Sequence, residues 1–511
     1  MFRNIIRTAG VLLLMGSCSK SYLDVNNNNP NQVTTVSPHL LLAGTLNTTA
    51  SIVTTDFPFL GCYQGYWTIA QGFSDITDYA NYNFSTNFGQ NIWTDVYGNL
   101  GNLAQIEAAA KADTTLVLYG AMAKIIKALN FQILVDVYNN IPYFDASSPL
   151  NIYPKYDNAD TVYQHLVLTI DTAIAMINGA TPGAVQPTGS DDIMFSGNMT
   201  SWKQLGNTLK LRMLLHQAGL TAKAAYIQAR LADIATEGDG FLAGNAWVNP
   251  GYSQNTNQQN PFFSSFGFNS TGGAASNYTS FKANIYTIAF FNNTNDVRIG
   301  YDYAPLTGYT GNPPYLYVGA PFGTIGLPSP SSASSIGAYM PATSSTQAGP
   351  RVGLLQSDAQ SCPLLTATES LFLQAEAAER GWISSDPQTL YQQAITASYA
   401  YLLVNNPDSA AGAYYAQPIQ NVGWSASTNK LEAIIVQKWA ALNGIDLEEV
   451  WSDYRRTGFP SDLPPSNSPN AVSKTPPVRL LYPQIEYQTN AANVNAEGSI
   501  NQFTSKIFWI P

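Results

Sequence analysis

Between Cys62 and Phe88 the chain carries Tyr63, Tyr66, Trp67, Phe73, Tyr79, Tyr82 and Phe84 among Gln64, Gln71, Asp75, Asp78, Asn81 and Asn83. Flat aromatic rings stack on the apolar C–H faces of sugars, and amides and carboxylates pair with the rim hydroxyls. The chemistry this mixture suits is recognition of a hydroxyl-rich ligand. A second set follows at Trp247, Tyr278, Tyr301, Tyr303, Tyr309, Tyr315 and Tyr317. Any one of these rings is more often core than ligand contact, and Trp93 and Trp439, at apolar helical spacing, are read as core. The stacking candidates are Tyr66, Trp67, Trp247 and Tyr315, with Asp75 and Asn81 as hydrogen-bonding partners.

Catalysis finds less support. A glycosidase needs two carboxylates about 5 to 9.5 Å apart. Asp56, Asp75, Asp78 and Asp95 could supply such a pair in principle, but nothing in the sequence shows that any two converge. Glu449, Asp453 and Arg456 share a helix face and read as a salt-bridge network at a helix end. The three histidines (His39, His165, His216) are scattered, and no CxxC occurs. Neither a zinc site nor a Cys-His nucleophile is expected, so no metal, cofactor or catalytic residue is assigned. Cys62 and Cys362 either pair with each other or stay as two buried thiols.

The composition agrees with a neutral ligand. Hydrophobic residues make up 45% of the 511, as in a globular protein. Charged residues make up only 11%, against a usual share of about 25%. Asn, Gln, Ser, Thr and 30 tyrosines take their place. A net charge of −10 with no basic patch excludes nucleic acid as a partner.

The elements that must position these residues are helices. Apolar spacing predicts them over Pro38 to Thr49, Asn91 to Lys111, Leu116 to Asn139, Asp160 to Ile177, Thr200 to Ala218 and Ala222 to Thr236. They resume over Thr366 to Arg380, closed by Gly381, then from Pro387 behind the Asp386 cap to about Val404. A last one spans Asn429 to Arg456, broken near Gly444. The helix from Leu116 is apolar around most of its circumference, which means burial between neighbours. Lys124, Lys127 and Asp136 argue against a membrane span. From 245 to 362 the chain is almost uncharged and rich in Gly, Pro, Asn, Ser and aromatics, an ordered loop region of the kind that carries function. The last fifty residues read as coil.

At the N-terminus, Arg3 and Arg7 precede the apolar run Ala9 to Met15, and Gly16-Ser17 stand before Cys18. Residues 1–17 read as a secretory signal and Cys18 as a lipid-modified cysteine. Residues 18–37 form a polar tether, and 38–511 a single domain held at a membrane by lipid.

Further motifs accompany this start: Tyr22-Leu23-Asp24-Val25-Asn26, Asp136-Val137-Tyr138 through Ile141-Pro142-Tyr143-Phe144-Asp145-Ala146, and Glu376-Ala377-Ala378-Glu379-Arg380-Gly381. Gln437-Lys438-Trp439-Ala440-Ala441-Leu442 leads to Glu449-Val450-Trp451-Ser452-Asp453-Tyr454-Arg455-Arg456 and Thr457-Gly458-Phe459-Pro460, and the stretch from Arg479 to Asn490 completes the set. In this order they resemble the SusD/RagB family of outer-membrane lipoproteins, in its SusD-like branch. The resemblance implies a mainly α fold, with tetratricopeptide-like helix pairs as scaffold and a large irregular loop region packed on one side. It also implies a nutrient-binding lipoprotein, for an oligosaccharide first of all, that serves a SusC-like TonB-dependent transporter and faces the cell exterior. Ser19, Lys20 and Ser21 stand where surface-exported members often carry acids, which leaves the leaflet open. Peptide capture, or a structural lid on the transporter without a tight ligand site, are the alternatives the resemblance allows.

Overall fold

Helix boundaries follow capping residues legible in the sequence. The computed structural model describes residues 36–70, 77–146, 151–306, 316–324, 333–337 and 352–511. Ser37 accepts from the His39 amide, and Pro38 begins helix α1, Pro38–Thr55. Helix α2, Gln90–Ala112, is joined to α3, Val117–Tyr138, by a turn in which Asp113 accepts from Thr115 N. Asn158 caps α4, Ala159–Gly179, and Asn198 caps α5, Met199–His216. Helix α6, Ala224–Glu237, stops at Gly238, whose φ of 73° is the left-handed conformation that suits glycine.

Among its described residues the predicted irregular stretch holds short elements, the longest being helix α7, Ile285–Asn293. Helices α8, Ala367–Glu379, and α9, Pro387–Tyr401, follow, with side-chain caps from Thr366 and Asp386. Helix α10 is Pro407–Tyr415. The predicted last helix is two, α11, Lys430–Ala441, and α12, Leu447–Thr457, separated at Gly444 with φ 72°. The final residues, read as coil, contain two helical turns, Gln484–Thr489 and Ala491–Ala496. Local apolar periodicity is too short there to announce them.

The helical layer is built outward from α3, which packs along both α2 and α4. By length and composition α3 is long and apolar enough to cross a membrane, yet nearly all of it from Tyr119 to Tyr138 is buried in protein. Helices α8 and α9 form a second close pair, and α8 also meets α5 and α11. Two small antiparallel ribbons tie the irregular side to this layer. In one, β1 (Trp67–Ile69) pairs with β3 (Phe281–Ala283), Trp67 opposite Ala283. In the other, β2 (Ala246–Val248) pairs with β4 (Cys362–Leu365), Ala246 opposite Leu365.

Where α5, α8, α11 and α12 meet, charge is buried rather than displayed. Arg456 sits 2.5 Å from both Glu376 and Asp453. Lys438 bridges Glu449 at 2.5 Å and Asp453 at 2.9 Å, and His216 Nε2 lies 3.1 Å from Glu449. Arg212 adds Glu369 at 3.1 Å. The expected network therefore exists between Arg456 and Asp453, but Arg456 also reaches Glu376 of α8, and Glu449 turns to Lys438 and His216. Helix spacing shows which residues share a face, not which neighbouring helix that face meets. Cys62 and Cys362 are two free, buried thiols.

Candidate ligand-binding site

The irregular side sorts the stacking candidates by burial. Tyr66 is 0% exposed, donates its hydroxyl to Trp439 O at 2.5 Å, and lies stacked on that indole at 5.1 Å. Trp67 is likewise 0% exposed, with Phe266 and Phe281 at 5.2 and 5.5 Å from its ring. A Cβ on Gly61 would collide with that indole, so glycine is what lets the helical turn Pro58–Tyr63 seat on it. Both rings belong to the core, a correction to their reading as sugar platforms, because a ring with no exposed surface offers no stacking face. Asn81 is half-buried, and its Oδ1 accepts from Ser468 Oγ at 2.6 Å, which ties it to the C-terminal loop. Among the described stacking candidates Trp247 is the one only half-buried, parallel to Tyr401 at 5.3 Å and 20°. Cys18, Asp75 and Tyr315 lie outside the described residues.

A cleft of about 860 Å³ opens between α1 and the chain that follows β2. Asn47 of α1 forms one wall, and Tyr252, Asn257, Gln258, Gln259 and Asn269 line the other, with no charged residue among the lining groups. The loops are held from behind. Tyr252 donates to Asn47 Oδ1 at 2.6 Å, and Asn260 Nδ2 to Gln360 O at 3.0 Å. Gln259 Nε2 donates to Phe268 O at 3.0 Å and also to Asp358. Asn269 Oδ1 accepts from the Thr271 and Gly273 amides and closes its own turn. What remains is a fixed concave surface of amides and hydroxyls, able to exchange hydrogen bonds with neutral polar groups and offering no ion pair. None of these residues stands out from the sequence as a ligand contact, although Tyr252 is among the loop aromatics expected to be anchored. The amide run from Gln254 to Asn260 was the available signal, inside a region recognised only as loops.

Residues 30–483 match the family model described as starch-binding associating with outer membrane. The chain belongs to the SusD-like family. Solved structures share the fold. A chitin-binding protein superimposes with a TM-score of 0.74 at 22% identity, covering 92% of this chain and 100% of its own. A chitin-binding SusD homolog from Flavobacterium johnsoniae gives 0.72 at 21% identity, covering 92% and 98%. A SusD-like protein from Bacteroides thetaiotaomicron gives 0.69 at 22%, covering 89% and 95%. No curated protein matches the chain in sequence.

In this SusD-like chain Asp56, Asp78 and Asp95, considered for catalysis, do not line the neutral cleft. Asp56 is raised to about 6 by burial first and then by the charge of Asp95. Neither lines the cleft, and Asp56 Oδ2 is buried without a hydrogen bond. On the β1–β3 ribbon, Lys282 is 4% exposed, donates to Ser335 Oγ at 2.7 Å and lies 5.5 Å from the Tyr278 ring centre. Burial lowers its ammonium to about 8.

Proposed function

We propose that this chain is a lipid-anchored glycan-binding protein of the outer membrane that takes up an uncharged oligosaccharide and passes it to a SusC-like TonB-dependent transporter. The observation that carries the reading is the cleft beside α1, sugar-sized and lined without a single charge. Uncharged sugars are recognised through many neutral hydrogen bonds in a preformed concavity. Membership of a family described as starch-binding, and the chitin-binding activity stated for two proteins of the same fold, point the same way. Binding is the whole task; no chemical step is assigned. Lipid on Cys18 would keep the domain beside its transporter and raise the effective ligand concentration there.

The test is calorimetric titration of the purified chain with maltooligosaccharides and N-acetylglucosamine oligomers, before and after Asn257→Gly with Gln258→Ala. Saturable binding that the double substitution weakens supports the reading. Failure of every neutral glycan, with peptides binding instead, overturns it. Co-purification with the transporter that depends on Cys18 tests the partner and the anchor.

A further inference from the structure

A second cleft, of about 310 Å³, lies between α7 and α11 and is closed at one end by residues 460–462. Its chemistry is the opposite of the neutral cleft. Tyr286 and Phe290 of α7 form one wall, and both are fixed edge-on against the buried Trp439, at 5.6 and 5.1 Å. Two carboxylates face this aromatic wall. Asp462 Oδ1 accepts from the Tyr286 hydroxyl at 2.5 Å, and Glu432 Oε1 accepts from Asn421 Nδ2 at 3.1 Å. No lysine or arginine lines the cleft. Among the described residues neither carboxylate has a salt-bridge partner, and no group of three metal-ligating side chains occurs. The nearest lysine in the chain, Lys430, is occupied elsewhere, donating to Trp424 O and to Ser427 O at 2.5 and 2.7 Å.

We propose that this cleft is a second ligand site, separate from the neutral one, that selects a protonated amine carried on a compact ring, the chemistry of a free amino sugar. Two fixed carboxylates with uncompensated charge accept from an ammonium group. Aromatic rings beside them attract a cation and cover the apolar face of its ring. The volume suits one or two sugar units rather than a chain. Asp462 and Glu432 act as binding groups here, and their hydrogen bonds to Tyr286 and Asn421 hold them in place.

The probes are D-glucosamine, which carries the ammonium, and N-acetylglucosamine, which has the same ring without the charge. Calorimetry should show D-glucosamine binding that Asp462→Asn and Glu432→Gln each weaken about tenfold, the loss of one charge-assisted contact. About 0.5 M salt should weaken it too. Asp462→Asn also changes the partner of Tyr286, so Glu432→Gln, which leaves that bond intact, is the deciding variant. Equal affinity for the two monosaccharides would overturn the proposal, as would D-glucosamine binding that ignores both substitutions. So would release of new reducing ends from amino-sugar oligomers, which would make the acids catalytic. D-glucosamine binding retained when neutral oligosaccharides fail to bind would uphold this site while removing the neutral cleft's function.

Discussion

The helical layer and the irregular side solve opposite problems with different residues. The layer contains a buried ionic cluster, Arg456 with Glu376 and Asp453, and Lys438 and His216 with Glu449. The irregular side, nearly free of charge, fixes its loops with amides and aromatics, as in Asn260 on Gln360 and Tyr66 on Trp439. A buried ion pair specifies one arrangement of the helices that bear it, since a lone charge left in the core is costly. Amide-bonded loops hold a shape while leaving neutral groups at the surface for a ligand. Scarce charge is concentrated where helices must register, and withheld from the cleft where a neutral sugar would bind.

The largest expected effect strikes the layer. Arg456→Ala takes the buried guanidinium from Glu376 and Asp453, leaving Glu376 only Arg380 and Asp453 only Lys438, and should cost about 3 kcal/mol in denaturant unfolding. A loss under about 1 kcal/mol would break the view that these charges set the helix register.

The pH dependence of stability should follow the same cluster. Burial disfavours the His216 imidazolium, but Glu449 and then Asp136 outweigh it and raise the group to about 9 from an ordinary 6.5. A raised folded value stabilises fully below pH 6.5 and is lost as pH climbs through 9. Burial would raise Glu376, yet Arg456 and Arg380 hold it at about 2 against an ordinary 4.5. Its contribution is full above pH 4.5 and disappears as pH falls toward 2. The melting temperature should therefore fall on both sides of neutrality, and His216→Gln should flatten the alkaline side. An unchanged alkaline limb in that variant would remove His216 from the cluster.

Smaller effects sharpen the other half of the comparison. Tyr66→Phe deletes the hydroxyl that reaches Trp439 O and should cost about 1–3 kcal/mol without changing glycan affinity. An affinity change with intact stability would return Tyr66 to the ligand surface. Asn257→Gly keeps the left-handed backbone of that residue, φ 62°, while removing its amide from the cleft. Oligosaccharide affinity should fall about three- to tenfold, with stability within about 0.5 kcal/mol of the parent. Least of all, about 0.5 M salt should leave neutral-glycan binding unchanged, because no charge lines that cleft.

Much of the fold was legible because its signals are local. Caps such as Asn158, Asp386 and Asp446, and the stops at Gly238 and Gly458, fix helix ends within a few residues of the chain. The all-round apolar surface of α3 announced a central position, and the motif order announced the family. The binding surface was less legible. An aromatic in a loop is indifferent, by sequence, to whether its ring points at Trp439 or at water. Tyr66 and Trp67 turned inward because β1 pairs with β3 from more than two hundred residues away, which encloses both rings.

By itself, then, the sequence determined most of the long helices, several of their caps and stops, the uncharged character of the loop side and the family, since each depends on composition or on neighbours a few positions apart. Pro407–Tyr415 and the two C-terminal helical turns were not among them. Tertiary structure alone decided which rings are core, which amides converge beside α1, and that Arg456 meets Glu376. Those facts depend on contacts between distant segments, where burial and the need to pair every buried charge select one arrangement from many.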